Sequence, residues 1–428
     1  MNPLSEYTQN CVVRQPVSCV IMAAMTTPPL AKSRWTLFSN PHTLLIIISA
    51  AHAVNHAYST LLPLIYPLVV DEFHLTYSQI GLMVGVASAA SGLLQLSYSY
   101  LSRFIPRRVL IGGGQVVMAI SAAATGLASN FNVFFLGNLT ARIGGSPQHP
   151  VGNSILSDHF ETKRRGFALS AHVSGGNIGT VAVPLIGTLL IASFSWRATL
   201  FVFAAIAAFI GLMLVFLTDE TNGQNGNTAI RSRGSLRDIK AVLSDRNVFF
   251  IFLASTVAAG GRGLGVLVTF VPLYLHDALK LNATYAGILF TLLLVGSVAG
   301  PLFFGRISDR RGRRVILLGI YAVSTVFTIV FTLVGATWLL PIVLLLMGVV
   351  IYAESPLLQT YLADSAQHLD RDLAFGLYFA VAFGVGALWA SILGWVIDQF
   401  GFDAGFYVMA ASYVVAALLI LPTREVEE

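Results

Sequence analysis

The sequence predicts an all-α polytopic membrane protein with twelve transmembrane helices in two pseudo-symmetric six-helix bundles. Two observations support this prediction. The 428-residue chain is 56% hydrophobic and only 11% charged, with a mean hydropathy of +0.76, whereas soluble domains contain about 25% charged residues. In addition, a shift of 206 residues aligns one half of the chain with the other. Internal repeats of this kind are typical of helical membrane transporters, whose sites lie between the repeats.

The repeat is clearest in a basic loop. Residues 305–314 read Gly-Arg-Ile-Ser-Asp-Arg-Arg-Gly-Arg-Arg, and residues 99–108 read Ser-Tyr-Leu-Ser-Arg-Phe-Ile-Pro-Arg-Arg. The same shift places Pro356 on Pro150 and Glu354 on Gln148. One register therefore relates two halves, each with its own set of apolar spans.

Apolar stretches of about 20 residues, long enough to cross a bilayer, define six spans in each half. In the first half they cover about residues 42–70, 76–101, 109–128, 131–156, 166–192 and 196–218. In the second half they cover about residues 247–275, 283–305, 315–335, 338–362, 373–397 and 402–422. The predicted organisation is a tail over 1–40, a bundle over 41–218, a polar linker over 219–245, a bundle over 246–422 and a tail over 423–428.

Basic residues lie almost entirely in loops on one side of the predicted bundles. The loops around 103–108, 163–165, 231–246 and 306–314 carry them, whereas the opposite loops hold only Arg197 and Lys280. Because short cytoplasmic loops retain Lys and Arg, both termini are predicted to be cytoplasmic in a cell (inner) membrane. The net charge of +5 follows from this asymmetry and gives no indication of nucleic-acid binding. We expect a monomer in the lipid bilayer.

The sequence lacks motifs for disulfide bonding, metal binding and nucleotide hydrolysis. Cys11 and Cys19 precede the first span and so lie in a reducing compartment, where neither a disulfide nor a metal site is expected. The chain has no Gly-x-x-x-x-Gly-Lys-Ser/Thr loop and no His-Glu-x-x-His motif. The glycines of residues 261–265 lie within an apolar span, where close helix packing accounts for them. We therefore expect no enzyme, cofactor or metal, and transport driven by an ion or substrate gradient.

Three charged residues stand out deep inside predicted spans: Arg142, Arg262 and Glu354. A charge at the centre of a bilayer costs about 2.5 to 3.5 kcal/mol on the insertion scale, so each is a candidate functional residue. Glu354 precedes Pro356 by two residues, where the helix is expected to be irregular. It is the candidate proton carrier, and Arg142 is the candidate anchor for a negative group on the substrate. The open alternative is that these residues only pair with one another or with helix carbonyls.

Four histidines fall inside spans of the first half: His52, His56, His149 and His172. His52 and His56 are four residues apart and share a helix face, and His149 lies two turns beyond Arg142. Histidine is the side chain that titrates nearest physiological pH. The predicted substrate-binding residues are His52, Asn55, His56, Arg142, Gln148, His149, Asn153, His172, Asn177 and Arg262, and the predicted proton-coupling residues are Glu354, His56 and His149. A hydrogen-bonded packing role is the alternative for any single histidine.

These segments resemble a known family. Residues 52–56 (His-Ala-Val-Asn-His), 64–67 (Leu-Ile-Tyr-Pro), 149–150 (His-Pro), 175–179 (Gly-Gly-Asn-Ile-Gly) and 352–354 (Tyr-Ala-Glu) resemble the fosmidomycin-resistance, drug-efflux branch of the major facilitator superfamily. The resemblance covers the chain from about residue 42 onward. It implies the major facilitator fold and alternating access by two rocking bundles. It also implies an antiporter in which inward proton flow drives drug export.

The resemblance also implies a conformational gate built on the basic loop. The family's loop motif is complete only in the second half, where Asp309, Arg310 and Arg313 belong to it. Asp309 is expected near Gly166, at the start of a helix whose dipole favours negative charge. In the first copy Arg103 replaces the acid and Pro106 the glycine, and His56 stands where the family has an Asp.

The replacement by Arg103 predicts a charge-swapped latch on the cytoplasmic side. The predicted eleventh span begins after Asp370 and Asp372, which supply two acids where the family has the bare start of a helix. We expect Arg103 to pair with one of them in the outward-facing state. The alternative is that all three are solvated loop charges, since exposed ion pairs contribute only about 0 to 1 kcal/mol.

The leading functional prediction is proton-coupled export of a small polar or anionic organic compound or drug. The first alternative is an importer or facilitator of a small organic acid, because the fold does not decide direction. An alternative of another class is a receptor-like or regulatory membrane protein without transport activity, which the altered first copy of the loop motif suggests.

Overall fold

The computed structural model describes residues 40–95, 97–102, 104–218, 236–369 and 371–425. Within these ranges the regular elements are helices. Nine helical stretches are long and apolar enough to cross a membrane, or ten with one bent pair, and joining the shorter helices in chain order gives twelve spans. The predicted fold class is confirmed. Eight spans are single helices: span 1 (Pro41–Phe73), span 2 (Tyr77–Gln95), span 3 (Arg107–Gly126), span 5 (Thr162–Ser193), span 6 (Trp196–Leu217), span 8 (Ala283–Arg311), span 9 (Arg313–Val334) and span 12 (Phe402–Ile420). Short helices Tyr98–Leu101 and Leu236–Ser244 lie outside the spans.

The other four spans are interrupted helices. Span 4 is Phe131–Gly145 and Gln148–His159; span 10 is Leu340–Ile351 and Glu354–Ser365; span 11 is Arg371–Gly384 and Leu388–Phe400. Span 7 begins as Arg246–Ala258 and continues through π-helical turns at Gly263–Leu267 and Tyr274–Ala278 that flank Val268–Leu273. Interrupted helices leave backbone groups free near the middle of a membrane, which transporters tolerate where the helices line a cavity.

Proline explains two of the interruptions. Pro356 has no backbone N–H, so the carbonyl of Tyr352 loses its helical partner, and the helix of span 10 breaks at residues 352–353. Pro150 stands in the same relation to Ser146, where span 4 breaks. The two breaks are repeat mates under the 206-residue shift. Each places a polar residue, Glu354 or Gln148, at the start of the second segment.

Span 2 is described as a helix up to Gln95, residue 96 lies outside the described residues, and a separate short helix covers Tyr98–Leu101. Ser97 Oγ donates a hydrogen bond to the carbonyl of Leu94 at 2.7 Å. This side-chain bond competes with the helical pattern of the backbone just before the short helix.

Short connections between successive spans place their ends alternately on two faces of the molecule. We call the face with residues 40, 97–102, 104–106, 159–161 and 366–369 the basic face, and the face with residues 74–76, 194–195, 279–282 and 401 the closed face. The two halves of the chain pack tightly at the closed face. A Cβ atom at Gly81 of span 2 would lie 2.1 Å from the carbonyl oxygen of Ala390 in span 11, and one at Gly287 of span 8 would lie 2.0 Å from Thr188 Oγ1 in span 5.

The buried apolar core shows the same asymmetry. One cluster of the described residues runs through both halves and includes Leu61 and Ile65 of span 1 together with Phe270 and Leu289. A second cluster contains first-half residues alone, such as Leu44 and Leu214 near the basic face. The halves therefore share an apolar core toward the closed face, whereas the first half packs separately toward the basic face.

Candidate functional site

Four histidine rings from three spans meet near the middle of span 1. His52 stacks on His172 of span 5 with ring centroids 4.2 Å apart. His56 and His149 of span 4 stand edge-on to His52, with centroid distances of 4.5 and 4.7 Å. His52 and His172 are 1% and 0% exposed, His56 is partly buried and His149 is exposed. The structure therefore places all four predicted histidines in one group, which we call the histidine cluster.

Two histidines of the cluster are held by hydrogen bonds across spans 1 and 5. His52 Nδ1 lies 2.9 Å from the carbonyl oxygen of His172. His56 Nδ1 lies 2.9 Å from Thr180 Oγ1, and that hydroxyl donates to the carbonyl of Gly176 at 3.3 Å. A carbonyl oxygen can only accept, so His52 Nδ1 carries the hydrogen.

Arg142 lies in the same half, at the end of the first segment of span 4. Its Nη1 donates to Ser59 Oγ of span 1 at 2.6 Å, and Ser59 Oγ donates in turn to the carbonyl of Asn55. Ser59 is three residues from His56 on span 1, so the guanidinium lies beside the histidine cluster. Because Ser59 carries no charge and takes one of five N–H donors, the guanidinium keeps donors for an anion.

The predicted amide residues fall into two groups. Asn55 Nδ2 donates to the carbonyl of Gly145 at 3.0 Å, and Gln148 Nε2 donates to the carbonyl of Ile48 at 3.0 Å. Both bonds join span 1 to the break in span 4. One satisfies the carbonyl of Gly145 at the break, and the other satisfies the carbonyl of Ile48 in span 1. Asn153 is partly buried, and its Oδ1 has no hydrogen-bond partner. Asn177 is exposed on span 5.

Arg262 and Glu354 form an ion pair inside the second half. Arg262 Nε and Nη2 each lie 3.2 Å from a Glu354 carboxylate oxygen. Tyr321 donates its hydroxyl to the same carboxylate at 3.3 Å, and Arg262 Nη2 also donates to Ser255 at 2.9 Å. Glu354 is 1% exposed. The bidentate geometry satisfies two oxygens of the buried acid with one guanidinium.

The repeat relates this ion pair to the histidine cluster. The shift of 206 residues places Arg262 on His56 and Glu354 on Gln148. Equivalent positions in spans 1 and 7, and in spans 4 and 10, therefore carry the polar groups of both halves. Sites at such equivalent positions are typical of transporters built from repeats.

Only some of the predicted gate residues lie within the part of the chain that the structure describes. Arg103 and Asp370 lie outside the described residues, and the side chain of Asp372 is also outside them. Asp309 forms an ion pair with Arg313 one turn further on, and Arg313 Nε lies 3.2 Å from Asp364. Arg310 is exposed. The charged loop between spans 8 and 9 is thus tied to the end of span 10.

Several functional candidates were missed in the sequence. Ser59 and Thr180 support Arg142 and His56, and Ser255 and Tyr321 support the ion pair. His172, Gly176 and Thr180 are spaced four residues apart, which places them on one face of span 5. This spacing is the sequence signal that could have identified Thr180 as a neighbour of the histidines. At the closed face, Asp398 accepts hydrogen bonds from the backbone N–H groups of Tyr77 and Ser78, both at 2.8 Å.

Proteins similar to this chain in sequence or fold include membrane transporters. The sequence profile of the Major Facilitator Superfamily matches residues 48–282 and 251–428. The fosmidomycin resistance protein of Escherichia coli is 24% identical over 87% of this chain and 91% of its own length. The multidrug resistance protein MdtG of Citrobacter koseri is 26% identical over 85% and 90%. A crystal structure of the nucleoside transporter NupG, 15% identical, superimposes with a TM-score of 0.75 over 90% of this chain and 98% of that one.

Two interrupted helical repeats around buried polar residues define a secondary-transporter fold. The chain belongs to the Major Facilitator Superfamily, as its profile match over both halves shows. It is therefore a multi-pass membrane transporter, and the predicted resemblance to this superfamily is confirmed.

Proposed function

We propose that this protein is a proton-coupled exporter of a small polar or anionic organic compound and that it works by alternating access. The observation that carries the proposal is the buried ion pair of Arg262 and Glu354. Removing one partner from a buried pair leaves an uncompensated charge, at a cost of about 3 to 5 kcal/mol. Two events can break this pair: a proton can neutralise Glu354, which leaves the charge of Arg262 unpaired, and a substrate anion can pair with Arg262, which leaves the carboxylate of Glu354 unpaired. Each event therefore favours the other.

The ion pair therefore links proton occupancy to substrate occupancy. With Glu354 ionised, its carboxylate occupies the guanidinium of Arg262 through two hydrogen bonds. With Glu354 protonated, Arg262 needs another anion. Tyr321 keeps a hydrogen bond to the carboxyl group in either state by donating or accepting. The pair thus couples a proton to a substrate, and opposite pH gradients across a vesicle distinguish exchange from co-transport.

Arg142 supplies the proposed anchor in the first half. Its planar guanidinium suits a carboxylate or phosphonate group through two parallel hydrogen bonds. The neighbouring polar groups of the histidine cluster suit a polar substrate. The names of the relatives, a fosmidomycin resistance protein and a multidrug resistance protein, support export of a small drug-like compound.

The packing of the halves supports alternating access. Spans 2 and 11 meet at the closed face, where glycine lets their backbones touch, and the first half has its own core near the basic face. If the basic face is cytoplasmic, as the distribution of Lys and Arg predicts, this arrangement corresponds to an inward-facing state. The transport cycle then requires the contacts at the closed face to open.

Proteoliposomes containing the purified protein test the proposal, with radiolabelled fosmidomycin as the first probe and a panel of toxic organic anions next. An exporter exchanging protons for substrate should accumulate the probe when the vesicle interior is acidic. A proton symporter would accumulate it only when the exterior is acidic, and a facilitator would equilibrate it under both gradients. A protein with a purely regulatory role would give no flux above empty liposomes with any member of the panel. Any of the last three results would contradict proton-coupled export.

A further inference from the structure

We propose that His52, His56 and His149 form a binding site for a divalent transition-metal ion of the class that prefers imidazole, such as Zn²⁺, Ni²⁺ or Co²⁺. One ring nitrogen from each of the three residues lies within 4.8 Å of the others. Imidazole binds zinc at about 2.0 to 2.1 Å, which separates the ligand nitrogens of a tetrahedral ion by about 3.4 Å. Small ring rotations therefore bring the three nitrogens to ligand distance.

Hydrogen bonds already orient two of the three rings as metal ligands. His52 Nδ1 donates to the carbonyl of His172, which leaves the lone pair on Nε2. Where Thr180 Oγ1 gives its hydrogen to the carbonyl of Gly176, it accepts from His56 Nδ1. Metal-binding histidines typically donate their other ring N–H to a carbonyl or another acceptor in this way. In both rings Nε2 is left for the ion.

Buried ring nitrogens without hydrogen-bond partners are a second observation, separate from the ligand distances, that supports a bound ion. His52 Nε2 is buried without a hydrogen-bond partner, and so are both ring nitrogens of His172. His52 and His172 are 1% and 0% exposed. A buried polar atom without a partner costs about 1 to 3 kcal/mol. An ion held by His52 Nε2 would remove that cost, with His172 stacked behind as a supporting ring.

Glycine lets span 5 approach the face of the His52 ring. A Cβ atom at position 176 would lie 2.8 Å from His52 Cε1, 2.9 Å from Nε2 and 3.0 Å from Nδ1, so it would press on the ring face. Any larger side chain at Gly176 would displace the His52 ring from its position beside His56 and His149.

The donor set selects the class of ion. Neutral imidazoles suit zinc, nickel, cobalt and copper, whereas magnesium and calcium require oxygen ligands. His149 is exposed, so the ion would keep an open position. Arg142 bonds Ser59, three residues from His56 on span 1, and its positive charge opposes a bare dication nearby. We therefore expect an anion, either hydroxide or a group of the substrate, as the fourth ligand.

The proposed site differs from the sequence-based expectation that the chain has no metal site. It stands independently of the proposed function, since metal binding needs no transport. A ring nitrogen cannot hold a proton and a metal ion at once. With the ion bound, His56 and His149 are not available as proton carriers, and Glu354 is left as the coupling group.

Metal titration of the purified full chain in detergent tests the site. The protein should carry no polyhistidine tag and should contain Cys11→Ser and Cys19→Ser, so that tag and thiols bind no metal. Zn²⁺ is titrated in competition with a chromogenic chelator. His149→Ala is the test variant, because an exposed side chain can be shortened without disturbing packing. His159→Ala, in the same segment of span 4 but outside the cluster, is the matched control.

We expect one Zn²⁺ per chain, an affinity at least about 100-fold weaker in His149→Ala, and unchanged affinity in His159→Ala. Equal affinity in His149→Ala and the parent protein would overturn the proposal, as would binding of less than one ion by the parent. If His149→Ala does not fold, Co²⁺ bound to the parent protein decides the question. Intense visible absorption typical of tetrahedral nitrogen ligation supports the site, and its absence at one equivalent of Co²⁺ overturns it.

Discussion

The carboxylate of Asp398 accepts the backbone N–H of Ser78 at 2.8 Å, and this contact joins the end of span 11 to the start of span 2. The same carboxylate accepts the N–H of Tyr77 and the hydroxyl of Ser78. The first amides of a helix have no helical partners and favour negative charge. Asp398 therefore acts as a latch between the two halves at the closed face.

Asp398→Asn should loosen this latch. A hydrogen bond to a charged group contributes about 1.5 to 3 kcal/mol, and losing about 1.4 kcal/mol changes a two-state ratio tenfold. We expect the closed face to open about tenfold more often. Labelling of Thr188→Cys with an impermeant maleimide, in a Cys11→Ser and Cys19→Ser background, measures this. Asp403→Asn, an exposed acid near the same face, is the control, and equal labelling in both variants would contradict a latch at Asp398.

Gly81→Leu should prevent the closed face from closing. The new Cβ atom would lie 2.1 Å from the carbonyl oxygen of Ala390, and backbone atoms cannot move aside as a flexible side chain can. We expect transport to fall to the background of empty liposomes, while Thr188→Cys becomes fully accessible. Gly113→Leu is the control, because a Cβ atom there meets nothing within 4 Å. Normal transport by Gly81→Leu would show that spans 2 and 11 need not approach this closely.

Glu354→Gln should abolish proton-driven transport and leave substrate exchange intact. The amide cannot take up a proton, but it keeps the size of the carboxyl group and can still accept a hydrogen bond from Arg262. Uptake driven by a pH gradient is compared with exchange of internal for external substrate in the same proteoliposomes. Glu161→Gln, an exposed carboxylate before span 5, controls for loss of charge. Gradient-driven uptake at the parental rate would exclude Glu354 as the coupling group.

Arg142→Lys should weaken substrate binding by tenfold or more even though the charge is kept. A bidentate hydrogen bond to an anion requires the planar guanidinium, and an ammonium group binds as a point charge. Equilibrium binding of the labelled substrate to detergent-solubilised protein is the measurement. The matched control is Arg197→Lys, whose parent residue pairs with Glu72 at the closed face. If Arg142→Lys binds as tightly as this control, Arg142 has a structural role.

Arg103→Asp should bias the carrier toward the inward-facing state and slow transport. The change removes the proposed attraction to Asp370 or Asp372, and adding Asp370→Arg and Asp372→Arg should restore part of the rate. Because exposed pairs contribute at most about 1 kcal/mol, we expect a shift of fivefold or less. Cysteine accessibility near the basic face reports the shift. A charge-swapped latch is ruled out if Arg103→Asp leaves both accessibility and rate unchanged.

The sequence by itself determined the fold and most of the individual candidate residues. Hydropathy marks spans because a membrane helix must be apolar along its whole length, which is a local property. The 206-residue repeat predicted two equivalent halves. Pro356 predicted an irregular helix beside Glu354, and the structure interrupts span 10 there. Each histidine and each buried charge could be selected from its own position in a span.

Only the tertiary structure decided which of these residues meet. Glu354 pairs with Arg262 across 92 residues of sequence, and Asp398 reaches Ser78 across 320. His172 stacks on His52 rather than standing alone in span 5. These contacts depend on how each helix is rotated and on how closely it packs against its neighbours. Glycines such as Gly81 and Gly176 allow close packing because they have no side chain at the point of contact. Hydropathy carries no such information, because an apolar helix satisfies it at any rotation.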